Sequence, residues 1–250
     1  RRIDDLNGSV TKYDYDHMNR LVREVRTGTQ PFAFQLQHDN ANNISLQNLN
    51  GAITTYNFDF DNLPTVAIGA IAGTYTWNSN AQLVERNAGG LRHQFHHDAH
   101  GGISGLDLFH LGMFKPVRQY AYDGIGRLTA RAVFDLNQQV LSASQIFYDG
   151  TAPIRENITA QAGNAAHVHT WDGSLAQVFD LTSNTVAFCM TDHIGSLRGF
   201  TDQTGNLTPY RGIFDHRGVT ILDQGVRPPF AYQADLGVRA EPDAGLVNLG

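Results

Sequence analysis

Residues Asp192 to Gly218 read DHIGSLRGFTDQTGNLTPYRGIFDHRG. One complete unit lies within this stretch, and the next begins at its end. Asp192 opens a turn, Gly195 follows three residues later, and Leu197 starts an apolar strand. A second turn, Thr201-Asp202-Gln203-Thr204-Gly205-Asn206, leads to a strand that returns through Tyr210 to Asp215. Gly218 again stands three residues on. Asp at the mouth of a turn and Gly within it are turn chemistry, because Asp binds nearby amides and Gly accepts positive φ.

The same unit recurs along the chain. Its Asp position falls at Asp16, Asp39, Asp59, Asn78, Asp98, Asp123, Asp149, Asp172, Asp192 and Asp215, spaced 19 to 26 residues apart. The mean period is about 22, the length of two strands of about 7 residues and two turns of about 4. Tyr13-Asp14-Tyr15-Asp16 through Leu21 and Tyr120-Ala121-Tyr122-Asp123 through Leu128 are the fullest copies.

Each column of the repeat has a physical reading. The residue before the Asp is Tyr15, Phe58, Trp77, Tyr122, Tyr148, Trp171 or Phe214, and Tyr13, Tyr56, Tyr75, Phe95 and Tyr120 lie two positions earlier. Residues two apart share a strand face, so these aromatics pair on one side of a sheet. Three after the Asp stand Asn19, Asn42, Asn62, Gly101, Gly126, Gly195 and Gly218, residue types that accept a left-handed backbone. Five after it, Leu21, Ile44, Leu83, Ile103, Leu128, Ile154 and Leu197 re-enter the sheet, and Gly28, Gly51 and Gly90 lie twelve after. Sustained helical periodicity is absent. The sequence therefore predicts an all-β fold: tandem hairpins of about 22 residues in a strongly twisted, curved antiparallel sheet, one array over residues 1–250 with no linker. Leu106 to Met113 and Gln161 to Ala166 read as loop insertions.

Composition narrows the function. Hydrophobic residues make up 41% of the 250, enough for a core, and charged residues only 17%. A net charge of −6 supplies no basic patch for nucleic acid. Cys189 is the sole cysteine, so neither a disulfide framework nor a cysteine zinc site is expected; in Val186 to Met190 it reads as a buried thiol. No apolar run reaches the ~18 residues of a membrane span, and Arg1-Arg2-Ile3-Asp4-Asp5 is not a signal peptide. Both ends read as cut from a longer polypeptide.

These units resemble the tyrosine-aspartate (YD) repeats of the bacterial Rhs family, whose fullest copies read xYxYDxxGRL. The resemblance runs from Tyr13 to Gly250 and is most specific in Asp192 to Arg198, which matches a D-x-x-G-S-x-R step, and in Thr201 to Asn206, which matches TDxxGN. Pro229-Phe230-Ala231-Tyr232-Gln233 and Glu241-Pro242-Asp243-Ala244-Gly245-Leu246 are similar to steps near the end of the family's repeat region. Relatives include the C components of insecticidal ABC toxin complexes, contact toxins and teneurins. The resemblance implies a segment of a hollow β-shell that encloses a C-terminal toxin domain. That toxin domain and the rest of the shell would be its partners, with a secretion-system component or a surface glycan as further ones. It also implies a place outside the cell or on its surface as part of a larger exported protein. The family's self-cleaving RYYDPxxGRF and DPxG segment is not found in these residues, so no catalytic residue is carried over. A segment without enzyme activity, metal or cofactor is expected.

Four constellations could carry chemistry instead. His93-Gln94-Phe95-His96-His97-Asp98-Ala99-His100 holds zinc-ligand residue types, but strand alternation puts His93 and His97 on one face and His96 and Asp98 on the other. Asp59 and Asp61 lack the glycine and distal Glu of a calcium loop. Asp180, Asp192, Asp202 and Asp215 all have turn explanations, and Ser174 and Ser196 lack a nucleophile-elbow setting. The rival function is adhesion to carbohydrate through exposed aromatic columns such as Trp77.

Overall fold

A computed structural model describes residues 2–4, 8–28, 31–161, 163–171, 175–191, 197–214, 220–224, 239–241 and 246–248. The side chains described begin at 8 and end at 207. All regular structure among them is β-strand. The chain divides into two compact units, Arg1–His97 with Leu106–Lys115, and Asp98–Gly105 with Pro116–Gly250.

The first unit holds β1 (Arg2–Asp4), β2 (Val10–Tyr15), β3 (Leu21–Thr27), β4 (Phe32–His38), β5 (Ile44–Leu49), β6 (Ala52–Phe58), β7 (Pro64–Gly69), β8 (Gly73–Trp77), β9 (Leu83–Ala88) and β10 (Leu91–His97). Next come β11 (Ile103–His110) and β12 (Met113–Tyr122). The second unit continues with β13 (Leu128–Phe134), β14 (Val140–Asp149), β15 (Ala152–Ala160), β16 (Ala165–Trp171), β17 (Leu175–Asp180), β18 (Thr185–Thr191), β19 (Leu197–Thr201), β20 (Leu207–Phe214), β21 (Thr220–Gln224), β22 (Arg239–Glu241) and β23 (Leu246–Asn248). Every pairing described is antiparallel and joins strands adjacent in sequence. The expected all-β antiparallel hairpin array is the fold.

Period-two patterning decides which face is buried. In β4, Phe32, Phe34 and Leu36 are buried while Gln35 and Gln37 are exposed. Cross-strand register extends that face into lanes: Tyr13 opposes Glu24, Glu24 opposes Phe34, and Phe34 opposes Leu49. Such directly opposed side chains are the unit of sheet stabilisation. In the second unit Tyr120, Leu128 and Ile146 cluster with Ile103, Tyr122 and Tyr148, and Leu175, Leu197 and Phe200 cluster with Trp171, Val178, Ala187 and Cys189.

Turns of two kinds join the strands. At Asn50-Gly51 both central residues have positive φ, 53° and 91°, which matches the right-handed strand twist. The Asn50 side chain also accepts a 2.7 Å bond from the Ala33 amide. Gly69 is required for a different reason. Its φ is +116°, and a Cβ there would stand 2.2 Å from the Ile53 carbonyl oxygen. Gly69→Ala should therefore cost more than about 1 kcal/mol, read as a lower denaturation midpoint.

Leu106 to Met113, read as a loop insertion, instead completes β11 and begins β12 around a turn at Leu111-Gly112, and two repeat positions also need correction. Asp149 does not open the repeat's usual turn. It opposes Ala152 across a tight hairpin, with Gly150 at φ 56°. Ile154 consequently does not start a strand, because β15 begins at Ala152. In the opening stretch, β19 starts at Leu197 and β20 returns through Tyr210 as expected. Asp172, Asp192, Gly195, Asp215 and Gly218, with Pro229 to Gln233, lie outside the described residues.

Candidate functional site

The chemistry-bearing side chains converge on the turns and on the seam between successive hairpins. Eight turns share one hydrogen-bond pattern, opened by Asp16, Asp39, Asp59, Asn78, Asp98, Asp123, Asp135 and Asp202. The opening residue's amide donates to the carbonyl four residues on, and its own carbonyl accepts from the residue three on. Its side-chain oxygen accepts two further amides; in Asp123 these are Ile125 at 3.0 Å and Arg127 at 3.0 Å. The third residue is left-handed in each case: Asn19, Asn42, Asn62, Ala81, Gly101, Gly126, Gln138 and Gly205.

Six of these openers belong to the column read from the sequence. Asp202 was read there as a second turn, and Asp135 was missed. Ala81 and Gln138 disguise two turns, since neither residue type signals positive φ. The Asp that opens x-x-x-x re-entry was the available signal at 135.

Electrostatics follow from these amides. The Arg20 backbone amide, aided by the Arg20 guanidinium and the Met18 amide, holds the Asp16 carboxyl down at about 2, against an ordinary 3.8. The Arg127 amide lowers Asp123, the Asn43 side chain lowers Asp39, and the Thr204 hydroxyl lowers Asp202. A carboxyl lowered by folding stabilises the fold above its ordinary value and ceases to do so as pH falls through its folded value. Turn protection in hydrogen exchange should thus hold at pH 5 and be lost between 3.8 and about 2 at Asp16. Asp16→Asn should flatten that response.

Three contacts bind one repeat to the next. First, the aromatic before the Asp donates to a carbonyl in the preceding repeat. Trp77 Nε1 reaches Pro64 O at 2.8 Å, Tyr122 Oη reaches Ile103 O at 2.9 Å, Tyr148 Oη reaches Leu128 O at 2.9 Å, and Trp171 Nε1 reaches Pro153 O at 2.9 Å. Second, the residue four after the Asp reaches the next turn. Arg20 donates to Asn42 Oδ1 at 2.8 Å, Asn43 donates to Asn62 Oδ1 at 3.0 Å, and Arg127 donates to the Gly150 carbonyl while its guanidinium lies 4.8 Å over the Tyr148 ring. Third, register shifts recur just before the aromatic position, between Asp14 and Tyr15, Asn57 and Phe58, Thr76 and Trp77, and Ala121 and Tyr122. The facing strand holds one extra residue there, as in a β-bulge. Hydroxyls at that extra position donate back across it: Ser45 to Gln37 O, Thr65 to Asn57 O and Thr129 to Ala121 O.

Tyr148→Phe isolates one latch. It keeps the ring and removes the donor to Leu128 O, at a cost of about 1 kcal/mol. Faster hydrogen exchange across residues 128–148 would report it; unchanged exchange would show the contact to be energetically neutral.

The residues considered for chemistry go elsewhere. His93 is buried, with 5% exposure, on the inner face of β10. His96 lies on the other face against Asp107 Oδ2 at 3.0 Å, and the His100 amide donates to Asp98 Oδ1 at 2.9 Å. Among the described residues no group of three or more His, Cys, Asp or Glu side chains is placed to hold a metal ion. Asp59 accepts from Asp61 and Leu63 amides, with Asp61 exposed at the turn. Asp180 accepts from the Thr182 amide at 2.7 Å and the Ser183 hydroxyl at 2.8 Å. Burial pushes the Cys189 thiol up to about 12, far from the range of a reactive thiolate. Ser174 and Ser196 lie outside the described residues. Among the described residues no helix is long and apolar enough to cross a membrane.

No family model matches the chain. In sequence it is similar to the tRNA3(Ser)-specific nuclease WapA of Bacillus spizizenii, 27% identical over 141 residues that cover 52% of this chain and 6% of that protein. The tRNA nuclease WapA of Bacillus subtilis is 28% identical over the same extent, 52% and 6%. The matched stretch is thus a small fraction of either nuclease. Among solved structures, TcdB2-TccC3 has a TM-score of 0.48 at 12% identity, covering 98% of this chain and 17% of that one. TcdB2-TccC3-Cdc42 has a TM-score of 0.45 at 12% identity, covering 95% and 16%.

Proposed function

We propose that this chain is a structural segment of an Rhs-type toxin, one continuous repeat array in a shell around a C-terminal toxin domain. In this reading the segment performs no catalysis and holds no metal or cofactor. Its partners are the remainder of the shell and the enclosed toxin, and it works outside the producing cell within a larger exported protein. The carrying observation is the latch. Aromatics that a glycan-binding ridge would present outward instead have their polar atoms anchored to carbonyls of the preceding repeat. A repeat that spends its aromatic and Asp columns on its neighbours is built to propagate a wall. The sequence similarity to two tRNA nucleases gives the wall a context.

Limited proteolysis of the intact parent protein tests the proposal. Encapsulation requires the region after the repeats to resist cleavage while the shell is folded, and to become sensitive when latches are removed, as in Tyr148→Phe combined with Trp171→Phe. Equal cleavage with and without the latches would sink it. Glycan-array binding that is abolished by Trp77→Ala would favour adhesion instead.

A further inference from the structure

Histidine burial in the first unit has a consequence for its response to acid. His93 on β10 stands directly opposite Arg86 on β9, and Arg86 stands opposite Tyr75 on β8, all on the inner face. Directly opposed side chains have Cβ atoms about 5 Å apart. His93 is 5% exposed, and its Nδ1 is buried with no hydrogen-bond partner. The carboxylates nearby in sequence serve the other face: Glu85 is held by Arg92 at 2.8 Å, and Asp107 on β11 faces His96 at 3.0 Å. His97 shares the inner face four residues along β10, beyond Phe95, and adds no negative charge.

We propose that the β9–β10 pair is an acid-sensitive opening point of the first unit, released when His93 takes up a proton opposite Arg86. A guanidinium stays charged at every relevant pH. A second cation placed across from it, on a buried imidazole beside a half-buried guanidinium, meets like-charge repulsion that water screens only in part. Opening the pair returns the imidazole to solvent, where it binds the proton normally. Burial first, and then Arg86, lowers the proton affinity of His93 below its ordinary 6.5. The sign is therefore fixed: this stability is complete above 6.5 and declines as pH falls below it. Acidification by one unit below that value raises the opening constant by up to about tenfold.

Hydrogen exchange of the intact protein at about pH 7.5 and about pH 5.5, corrected for intrinsic rates, reads the effect. Protection of residues 83–97 should fall by up to about tenfold on acidification. His93→Gln should abolish the fall. His96→Gln, on the opposite face, should retain it, and Arg86→Met, which keeps the imidazole, should reduce it. An unchanged segment in the parent protein overturns the proposal, as does a fall that survives His93→Gln. Should that variant not fold, a fall undiminished in Arg86→Met overturns it by itself.

Discussion

Phe34→Ala is expected to destabilise the first unit by about 3 to 5 kcal/mol, the usual loss when a fully buried phenylalanine is truncated. Phe34 is 0% exposed. It sits mid-strand in β4 between Phe32 and Leu36, with Glu24 on one side and Leu49 on the other. Removing the ring deletes apolar burial and leaves a void that antiparallel backbones cannot collapse without breaking register. Glu24, 1% exposed, would also gain a hydrated neighbour in place of a packed one. Chemical denaturation followed by exchange protection in residues 23–49 measures the loss. Phe34→Leu should recover most of it. A loss under about 1 kcal/mol would mean that the inner face is hydrated rather than packed.

Arg131→Met should have an effect of similar size, about 3 to 5 kcal/mol, for an electrostatic reason. Glu156 on β15 is 0% exposed, and Arg131 Nη2 lies 3.8 Å from its Oε1. Arg131 Nε also donates to Ser144 Oγ at 3.4 Å. Register places Glu156 opposite Ile146 and His167, and His167 opposite Asp180. Without the guanidinium a buried carboxylate keeps its desolvation cost and loses its cation. The double variant Arg131→Met, Glu156→Gln should recover much of the loss, since the buried charge that Arg131 faced is then gone as well. A double variant whose loss equals the sum of the two single losses would show that the two side chains do not act on each other.

The two predictions probe different layers of the fold, and they differ in how readable they were beforehand. The alternation that buries Phe32, Phe34 and Leu36 is visible in FAFQLQH, because period two is a local property of a strand. The turn openers were equally visible. An Asp accepting amides two and four residues ahead needs no distant partner, so Asp16, Asp39, Asp59, Asp98 and Asp123 declare themselves. Asp149 misled because the same aromatic-Asp pair also fits the start of a two-residue hairpin. Asp135 was overlooked because Gln138 supplies its left-handed residue in place of Gly or Asn.

The latches were only half legible. Aromatics at fixed spacing marked a face, yet nothing in a tyrosine or tryptophan names its acceptor. Tyr148 and Leu128, or Trp171 and Pro153, meet only after the bulge has displaced one strand past the other. The bulge left a faint trace in Ser45, Thr65 and Thr129, six residues after their Asp, but the same position carries Val22 and Val84 elsewhere.

By itself, the sequence determined the all-β class and the turn chemistry, because each depends on residues within about five positions of one another, and the period near 22 residues, because the same local unit recurs along the chain. Tertiary structure alone decided where the aromatic donors point, which bulges re-aim them, and that Arg131 neutralises Glu156 while Arg86 faces His93. Those outcomes join strands through register, and a one-residue slip would send every such side chain to the opposite face.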